Sequence, residues 1–353
     1  MLKKAVALFL VCAGLALFVS CGKSLNHFVY AAIPTSSQIL VFREDPNSGA
    51  LTPLASSPFS AGQGVQSLAL HPSGKFLYAA NSSQDNISLF TIASTGAITE
   101  ITTTPAGTTP AVLVMDPTGS YLYVINAESQ DLWVYSISTS SSSLGVLSTV
   151  GAPTSLGFTP LNMALSPSGN FLYVTGTAQQ GYIEVFSLSA GVLTLAQVVQ
   201  TGRDPVALAI DPGGSYLYTG NFSDNSISEF SIDSSSGQLS PLAGSPIGIT
   251  YTSPNSLFVE KSGKYLYVAN EGSTYVTSYS IGSDGGLSLL ATSPFATGQQ
   301  PSLVAGDPNG LYLFVGNQKS PAIESLALSG GGSLVAVGTY PIANTPTSIV
   351  VLP

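Results

Sequence analysis

A phrase of eight residues recurs along this chain, and it limits the possible folds more than any other feature of the sequence. It reads HPSGKFLY at residues 71–78, and related phrases follow at 116–123, 166–173, 211–218, 260–267 and 307–314. The glycines of successive phrases, from Gly74 to Gly310, lie 45 to 50 residues apart. A period of this length indicates a repeat architecture in which each copy is one supersecondary unit.

Each copy predicts four β-strands. In the copy at HPSGKFLY we expect strands at residues 66–71, 76–81, 87–92 and 97–103, with a tight Pro-Ser-Gly turn after the first. The first two strands of each copy are almost continuously apolar, which predicts burial on both faces. Third strands such as residues 227–232 alternate, so we expect them closer to solvent. Buried inner strands and a wetter periphery are typical of the blades of a β-propeller.

Two orphan strands set the number of blades. His27 begins a copy of the second half of the phrase and has no inner strand before it, whereas residues 347–353 form a strand with no partner after it. Pairing the two closes a ring and removes two open sheet edges. We therefore predict an all-β, seven-bladed propeller of four-stranded blades over residues 27–353, closed by the C-terminal strand. An open β-solenoid is the alternative.

The first 26 residues have a different composition. Lys3 and Lys4 precede an apolar run over residues 5–19, which is typical of an export signal and short for a transmembrane helix. The sequence FVSC at 18–21 resembles a bacterial lipobox, in which Cys21 carries the lipid. We expect a signal peptide at 1–20, a tether at 21–26 and a membrane-anchored lipoprotein of the outer membrane or cell surface. The alternative is an ordinary cleaved secretory signal.

The repeat phrases also resemble a known family. Residues 267–276 (YVANEGSTYV) and 209–218 (AIDPGGSYLY) look like the lactonase-type seven-bladed propellers, which include 6-phosphogluconolactonase-like and YVTN-repeat proteins. The resemblance implies a lactone hydrolase. Family lactonases carry Gly-Pro-Arg-His before an inner strand and Asn-Glu after the second strand. Asn270 and Glu271 match the second element, but residues 202–207 (GRDPVA) lack the Arg-His pair.

Candidate site residues belong to the loops after the fourth and second strands, which share one face of a propeller. The first loop type offers Arg203 and Asp204, as a ligand clamp or a local ion pair. The second loop type offers charged side chains at Asp85, Glu128, Asp131, Asp224, Glu271 and Lys319. Asparagines end the second strands at Asn81, Asn126, Asn221, Asn270 and Asn317, where an amide side chain either caps a turn or meets a ligand. Arg203 and Glu271 are the catalytic candidates, and Asp204, Asn221 and Asn270 join them as ligand-binding candidates.

The sequence points to no metal or cofactor. His27 and His71 are expected on the opposite face, and His71 stands where sister phrases have Asp or Ser, so it is interpreted as a turn residue. No histidine cluster, cysteine pair or close carboxylate group appears along the chain. The chain has 9 basic and 18 acidic residues, which argues against a nucleic-acid partner.

Three functions remain open at this point. The first is an exported, lipid-anchored monomer that binds a small molecule or protein without catalysis. The alternative is a lactonase-type hydrolase acting on an uncharged lactone, because basic side chains for a phosphate are few. The third is a structural surface component.

Overall fold

The computed structural model describes residues 27–352, and these form seven antiparallel sheets that follow one another around a ring. We number the blades 1 to 7 along the chain and the strands of each blade from first (innermost) to fourth (outermost). The first strands of blades 1 to 7 are Ser348–Leu352, Val65–Leu70, Pro110–Met115, Thr159–Leu165, Pro205–Ile210, Pro254–Val259 and Pro301–Gly306. The second strands are His27–Ile33, Phe76–Asn81, Tyr121–Asn126, Phe171–Thr177, Tyr216–Asn221, Tyr265–Asn270 and Tyr312–Asn317.

The outer half of each blade is less uniform. The third strands are Gln38–Glu44, Asn86–Ile92, Asp131–Ile137, Gly181–Ser189, Ser226–Ile232, Tyr275–Ile281 and Ala322–Leu328. The fourth strands are Leu51–Pro53, Ile98–Pro105, Leu147–Thr149, Val192–Thr201, Leu239–Pro241, Leu287–Leu289 and Leu334–Pro341. Where the fourth strand is short, a further pair of residues also bonds to the third strand, at Phe59–Ser60, Thr154–Ser155, Ile247–Gly248 and Phe295–Ala296. The helical turns are Pro34–Ser36 and Gly330–Gly332, and no helix in this part of the chain has the length and apolarity to cross a membrane.

The ring closes as the sequence predicts. Ser348–Leu352 is the first strand of blade 1 and pairs antiparallel with the second strand, in a register that sets Phe28 opposite Leu352 and Ala32 opposite Ser348. The seven-bladed propeller is thereby confirmed. The predicted leader at 1–20 and tether at 21–26, including Cys21, lie outside the described residues.

The repeated phrase holds each blade to the next. In five copies the last tyrosine is fully buried, and its hydroxyl donates to the carbonyl of a glycine between the third and fourth strands of the following blade, as Tyr78 does to Gly145 at 2.7 Å. The first aromatic residue of the phrase lies beneath the same type of glycine. At Gly285, which has φ of +86°, an added Cβ would stand 2.3 Å from Cδ1 of Tyr216. The aromatic residues therefore recur because they pack against a turn that only glycine fits.

Burial across a blade differs from the expectation in two places. The third strands are not close to solvent: the first five residues of Ser226–Ile232 are buried, because neighbouring blades cover both faces of the second and third strands. The fourth strand carries the exposed edge instead, as in Val192–Thr201. First strands such as Pro205–Ile210 alternate between buried and half-buried residues rather than being buried throughout. One face of an innermost strand meets the neighbouring blades, and the other faces the central channel.

Candidate functional site

On one face of the ring, the loop that follows the second strand contacts the loop that precedes the first strand. This contact occurs in blades 2, 3, 5, 6 and 7. The residue after the second strand donates its backbone N–H to the residue before the first strand, as Phe222 does to Asp204, Glu271 to Ser253 and Gln318 to Gln300. The accepting residues Asp204, Ser253 and Gln300 have positive φ angles of 52°, 60° and 56°. We call this the top face, and the sequence-based grouping of the two loop types is correct.

The asparagines that end the second strands are part of the blades. All five are fully buried, and their side-chain amides donate to the third strand of the same blade. Asn221 donates to the hydroxyls of Ser226 and Ser228, both at 2.9 Å, and Asn270 donates to Thr277 at 3.0 Å. An added Cβ at Gly202 would lie 2.6 Å from the Asn221 amide carbon, so this glycine packs directly against the amide. Asn221 and Asn270, predicted as ligand contacts, are inaccessible to a ligand and serve the turn instead.

Arg203 and Asp204 do not pair with each other. The Nε of Arg203 lies 2.6 Å from Oδ1 of Asp224, and its backbone N–H donates to the other oxygen of that carboxylate. These hydrogen bonds lower the pKa of Asp224. Asp204 accepts a hydrogen bond from the hydroxyl of Ser223. The ion pair is therefore local, as one alternative holds, but its acid is Asp224.

Glu271 has a different environment. Its side chain is half-buried at the top of blade 6, with the side-chain amides of Gln318 and Asn255 nearby. Burial raises the pKa of Glu271, and the two amide contacts offset part of that rise. Asn255 also donates to the backbone carbonyl of Ser302 at 3.2 Å, which fixes its position between blades 6 and 7. No hydrogen bond or ion pair within residues 27–352 joins Glu271 to Arg203 or Asp204.

Several other top-face acids serve as hydrogen-bond acceptors within or between turns. Asp85 accepts from the backbone of Thr109 at 2.8 Å, and Asp131 accepts from Asn126 at 2.8 Å. Glu128 accepts from the hydroxyl of Thr109 at 3.2 Å. Lys319 bonds through its backbone to the carbonyl of Gln299. These contacts hold the loops in place. Glu271 differs from these acids because two side-chain amides lie near it and burial raises its pKa.

A groove of about 710 Å³ lies on the outer side of blades 6 and 7, and Glu271 is not part of its lining. Its wall includes Phe295, Pro341 and the buried carboxylate of Glu324. The backbone N–H of Gly298, which also lines the groove, donates to Oε1 of Glu324 at 2.6 Å. Two residues further on, the carbonyl of Gln300 accepts from the backbone of Gln318. The same loop thus borders the groove and holds a partner of Glu271.

Asn255 and Gln318 are not predicted from the sequence, because neither has an obvious chemical motif around it. A signal was nevertheless present. The position after the strand-ending asparagine is occupied by Ser82, Ala127, Phe222, Glu271 and Gln318, so blade 6 alone places an acid there. The adjacent blade places an amide at the equivalent position, and the ring brings the two together.

The opposite, bottom face holds both histidines, as expected. His71 is a turn residue: Nδ1 lies 2.8 Å from the hydroxyl of Ser73, and Nε2 lies 3.0 Å from the carbonyl of Gly119. His27 has a setting that the sequence did not suggest. It lies with Glu44 and Asp307 in a buried group whose potential metal-ligand atoms are all within 4.8 Å of one another.

Solved structures with the same fold include enzymes and proposed enzymes. A proposed 6-phosphogluconolactonase of Bacteroides fragilis superposes with a TM-score of 0.81 at 18% identity, covering 94% of this chain and 99% of that chain. A protein from Lactobacillus plantarum gives a TM-score of 0.81 at 21% identity over 93% of this chain and 99% of that chain. The periplasmic gluconolactonase PpgL of Pseudomonas aeruginosa gives 0.77 at 18% identity, over 93% and 99%. At these identities the similarity shows the fold.

Sequence comparison goes further than the fold. No curated protein matches the chain significantly. The family described as "Lactonase, 7-bladed beta-propeller" matches residues 28–159, 157–250 and 245–351, which together span nearly all of the described ring. The chain therefore belongs to the lactonase family of seven-bladed β-propellers.

Proposed function

We propose that this protein hydrolyses a lactone to its hydroxy acid on the top face of blades 6 and 7, with Glu271 as the general base. The observation that carries the proposal is the setting of Glu271, a half-buried carboxylate whose pKa is raised by burial, with the side-chain amides of Asn255 and Gln318 nearby. A base with a pKa nearer to neutrality accepts a proton from water more effectively. Family membership favours this hydrolase alternative over binding without catalysis.

The reaction needs few groups. The Glu271 carboxylate takes a proton from a water molecule while the water oxygen attacks the lactone carbonyl. The side-chain amide of Gln318 can donate a hydrogen bond to the oxyanion that develops on that carbonyl. When the ring C–O bond breaks, the protonated Glu271 returns the proton to the departing alkoxide. The products are a free hydroxyl and a carboxylic acid, which then releases its proton to solvent, and the carboxylate of Glu271 is regenerated.

The charge on the top face supports an uncharged substrate. Arg203 and Lys319 are the basic residues that the described top-face loops supply, and Arg203 is paired with Asp224. Arg43, Lys75, Lys261 and Lys264 belong to the bottom face. A phosphate usually requires several arginine or lysine contacts. We therefore propose a neutral sugar lactone as the substrate class, in keeping with the gluconolactonase among the structural relatives.

The proposal is tested by measuring lactone hydrolysis above the spontaneous rate with glucono-δ-lactone and its 6-phosphate. We expect kcat/KM to be higher for the neutral lactone and to fall about 10²- to 10⁴-fold in Glu271→Gln, which keeps the shape but removes the base. Glu128→Gln, an acid of the same face, is the control and should retain activity. Binding of the lactone without turnover would support the non-catalytic alternative, and the absence of both would favour a structural role.

We also propose that the protein is exported and held at the membrane by a lipid on Cys21, as a monomer in the outer membrane or on the cell surface. The support is the charged and apolar leader followed by FVSC at 18–21. A periplasmic relative with the same fold is consistent with that location.

A further inference from the structure

The bottom of the seam between blades 7 and 1 holds a buried group of three potential metal ligands. His27 begins the second strand of blade 1 and pairs in register with Glu44, which ends the third strand. Asp307 comes from blade 7, at the turn between the first and second strands. The exposed fractions of the three residues are 4%, 0% and 5%. The fold thus brings together side chains that are up to 280 positions apart in the sequence.

Glu44 is the unusual member of this group. Neither of its carboxylate oxygens has a hydrogen-bond partner, although the residue is fully buried. Nδ1 of His27 is 3.3 Å from Oε2 but is not aligned as a hydrogen bond. Other buried glutamates have hydrogen-bond donors: Glu229 accepts the backbone N–H of Leu287 at 2.8 Å, and Glu324 accepts that of Gly298. A buried carboxylate without donors is costly, so another group is needed to balance it.

The charges nearby do not provide that balance. Asp307 faces Glu44 from the next blade, and Asp45 follows it in the chain. No lysine or arginine within residues 27–352 forms a salt bridge with Glu44 or Asp307. Arg43 precedes Glu44 on the same strand and is exposed, since successive residues of a strand point to opposite faces. Two carboxylates therefore share one imidazole, which is an arrangement that a divalent cation would neutralise.

We propose that His27, Glu44 and Asp307 bind one divalent transition-metal ion of the zinc type, which joins blade 7 to blade 1. One imidazole nitrogen with two carboxylates suits zinc and its neighbours better than calcium or magnesium, which prefer all-oxygen sites. Bonds of about 2.0–2.2 Å place ligand atoms roughly 3.3–3.6 Å apart on a tetrahedral ion. The His27–Glu44 pair already has this spacing.

The surroundings suit a structural site. Oδ1 of Asp307 accepts the backbone N–H groups of Leu311 and Tyr312, and Oδ2 accepts that of Asn309 at 3.0 Å, so the carboxylate is held by its turn and keeps a lone pair for a metal. Nδ2 of Asn309 lies 3.5 Å from Nε2 of His27, and with that amide turned over its oxygen would accept the Nε2–H of a ring that binds metal through Nδ1. A pocket of about 320 Å³, lined by Glu44 and Asp45, offers an approach from solvent.

The test uses the full chain, produced without a polyhistidine tag, stripped with a chelator and titrated with ZnCl₂ by calorimetry. We expect one zinc ion per chain and a rise of several degrees in the Tm of the stripped protein. Asp307→Asn should weaken zinc binding at least tenfold. The matched control is Asp211→Asn, which alters the same turn in blade 5, where Asp211 likewise accepts the backbone N–H of Tyr216. Its zinc affinity should be unchanged.

A second variant and a second metal distinguish the loss of a metal ligand from a folding defect. Glu44→Gln preserves the shape of the side chain and should remove the visible absorption of a Co²⁺-loaded protein along with the zinc affinity. Failure of the stripped chain to bind one equivalent of Zn²⁺ or Co²⁺ would overturn the proposal. So would equal zinc affinities in Asp307→Asn and Asp211→Asn, or a Co²⁺ spectrum that is unaffected by Glu44→Gln.

Discussion

The hydroxyl of Ser325 donates a hydrogen bond of 2.7 Å to the carbonyl of Gly49, across the seam between blades 7 and 1. At five other seams the equivalent glycine carbonyl accepts from the buried tyrosine of the repeat phrase, as in Tyr30 to Gly96 and Tyr218 to Gly285. Blade 7 has Phe314 at the tyrosine position and therefore lacks that hydroxyl. Ser325, fully buried on the neighbouring strand, satisfies the carbonyl in its place.

Removing this substitute should destabilise the ring. Ser325→Ala leaves the Gly49 carbonyl without its donor, and we expect a loss of about 1–3 kcal/mol in the free energy of unfolding, measured by urea denaturation. Phe314→Tyr added to Ser325→Ala should recover part of this loss, because tyrosine reaches the glycine carbonyl in other blades. If the double variant is no more stable than Ser325→Ala, the Ser325 hydroxyl does not take the place of the missing tyrosine hydroxyl.

The glycine beneath each aromatic residue should be equally sensitive. In Gly285→Ala the added Cβ would meet the ring of Tyr216, and alanine would also have to adopt a positive φ. We expect a loss of about 2–4 kcal/mol in unfolding free energy. Gly330→Ala is the control, since nothing lies within 4 Å of the added atom and its φ is not positive. Equal losses in the two variants would show that packing on Tyr216 is unimportant.

The proposed base predicts a pH profile for lactone hydrolysis. Glu271 must be ionised to accept a proton, and burial raises its pKa above the ordinary value of 4.5. After subtraction of the spontaneous rate, kcat/KM should therefore be low in acid and rise with pH to a plateau, with a midpoint above 4.5. Asn255→Ala removes one of the amide contacts that lower the pKa, so it should move the midpoint to higher pH. A profile that is flat across this range would exclude Glu271 as the base.

Glu229 should make stability depend on pH in a defined direction. Burial raises its pKa in the folded protein, while the hydrogen bond from Leu287 offsets part of the rise. Below the unfolded pKa both states hold the proton, so the residue has no pH-dependent effect. As pH rises through the unfolded and then the folded pKa, the unfolded state ionises more readily and stability falls.

Glu229→Gln keeps the acceptor for Leu287 and removes this penalty. We expect the variant to be more stable than the parent at pH 8 and equally stable at pH 4, as measured by thermal unfolding at both pH values. Glu100→Gln, on the exposed fourth strand of blade 2, should change neither value. A gain for Glu229→Gln at pH 4 as large as at pH 8 would rule out ionisation as the cause.

Membrane attachment should depend on a single thiol. Cys21→Ser removes the sulfur that would carry the lipid, so the variant should leave the detergent phase in Triton X-114 partitioning of cell extracts. Cys12→Ser, in the apolar part of the leader, is the control and should partition as the parent does. Unchanged partitioning of Cys21→Ser would remove the lipoprotein proposal and favour a plain secretory signal.

The fold could be predicted because every copy repeats the same turn and aromatic residues, so six imperfect phrases report one geometry. The burial of the third strands could not, since the polar residues that alternate in 227–232 include Ser228, which bonds to Asn221 inside the blade, and the buried Glu229. Glu271 could be predicted as a site residue because Asn270 and Glu271 match the Asn-Glu element of the lactonase-type propellers. Gln318 and Asp307 escaped notice because the acids that they approach belong to the neighbouring blade. Asn255 and the pairing of His27 with Glu44 lie within one blade, but the repeat predicts strands and turns and not which side chains meet.

The closure of blade 1 has a mechanical consequence. Phe28 and Leu352 are paired, so the N-terminal end of one terminal strand lies beside the C-terminal end of the other. A force that separates the two ends therefore acts first on this pair and opens the ladder one step at a time, like a zipper. A force that pulls one strand along its length against the other would load all the hydrogen bonds between them together. Resistance of the ring to pulling is thus set by the direction of the load as much as by the number of bonds in the seam.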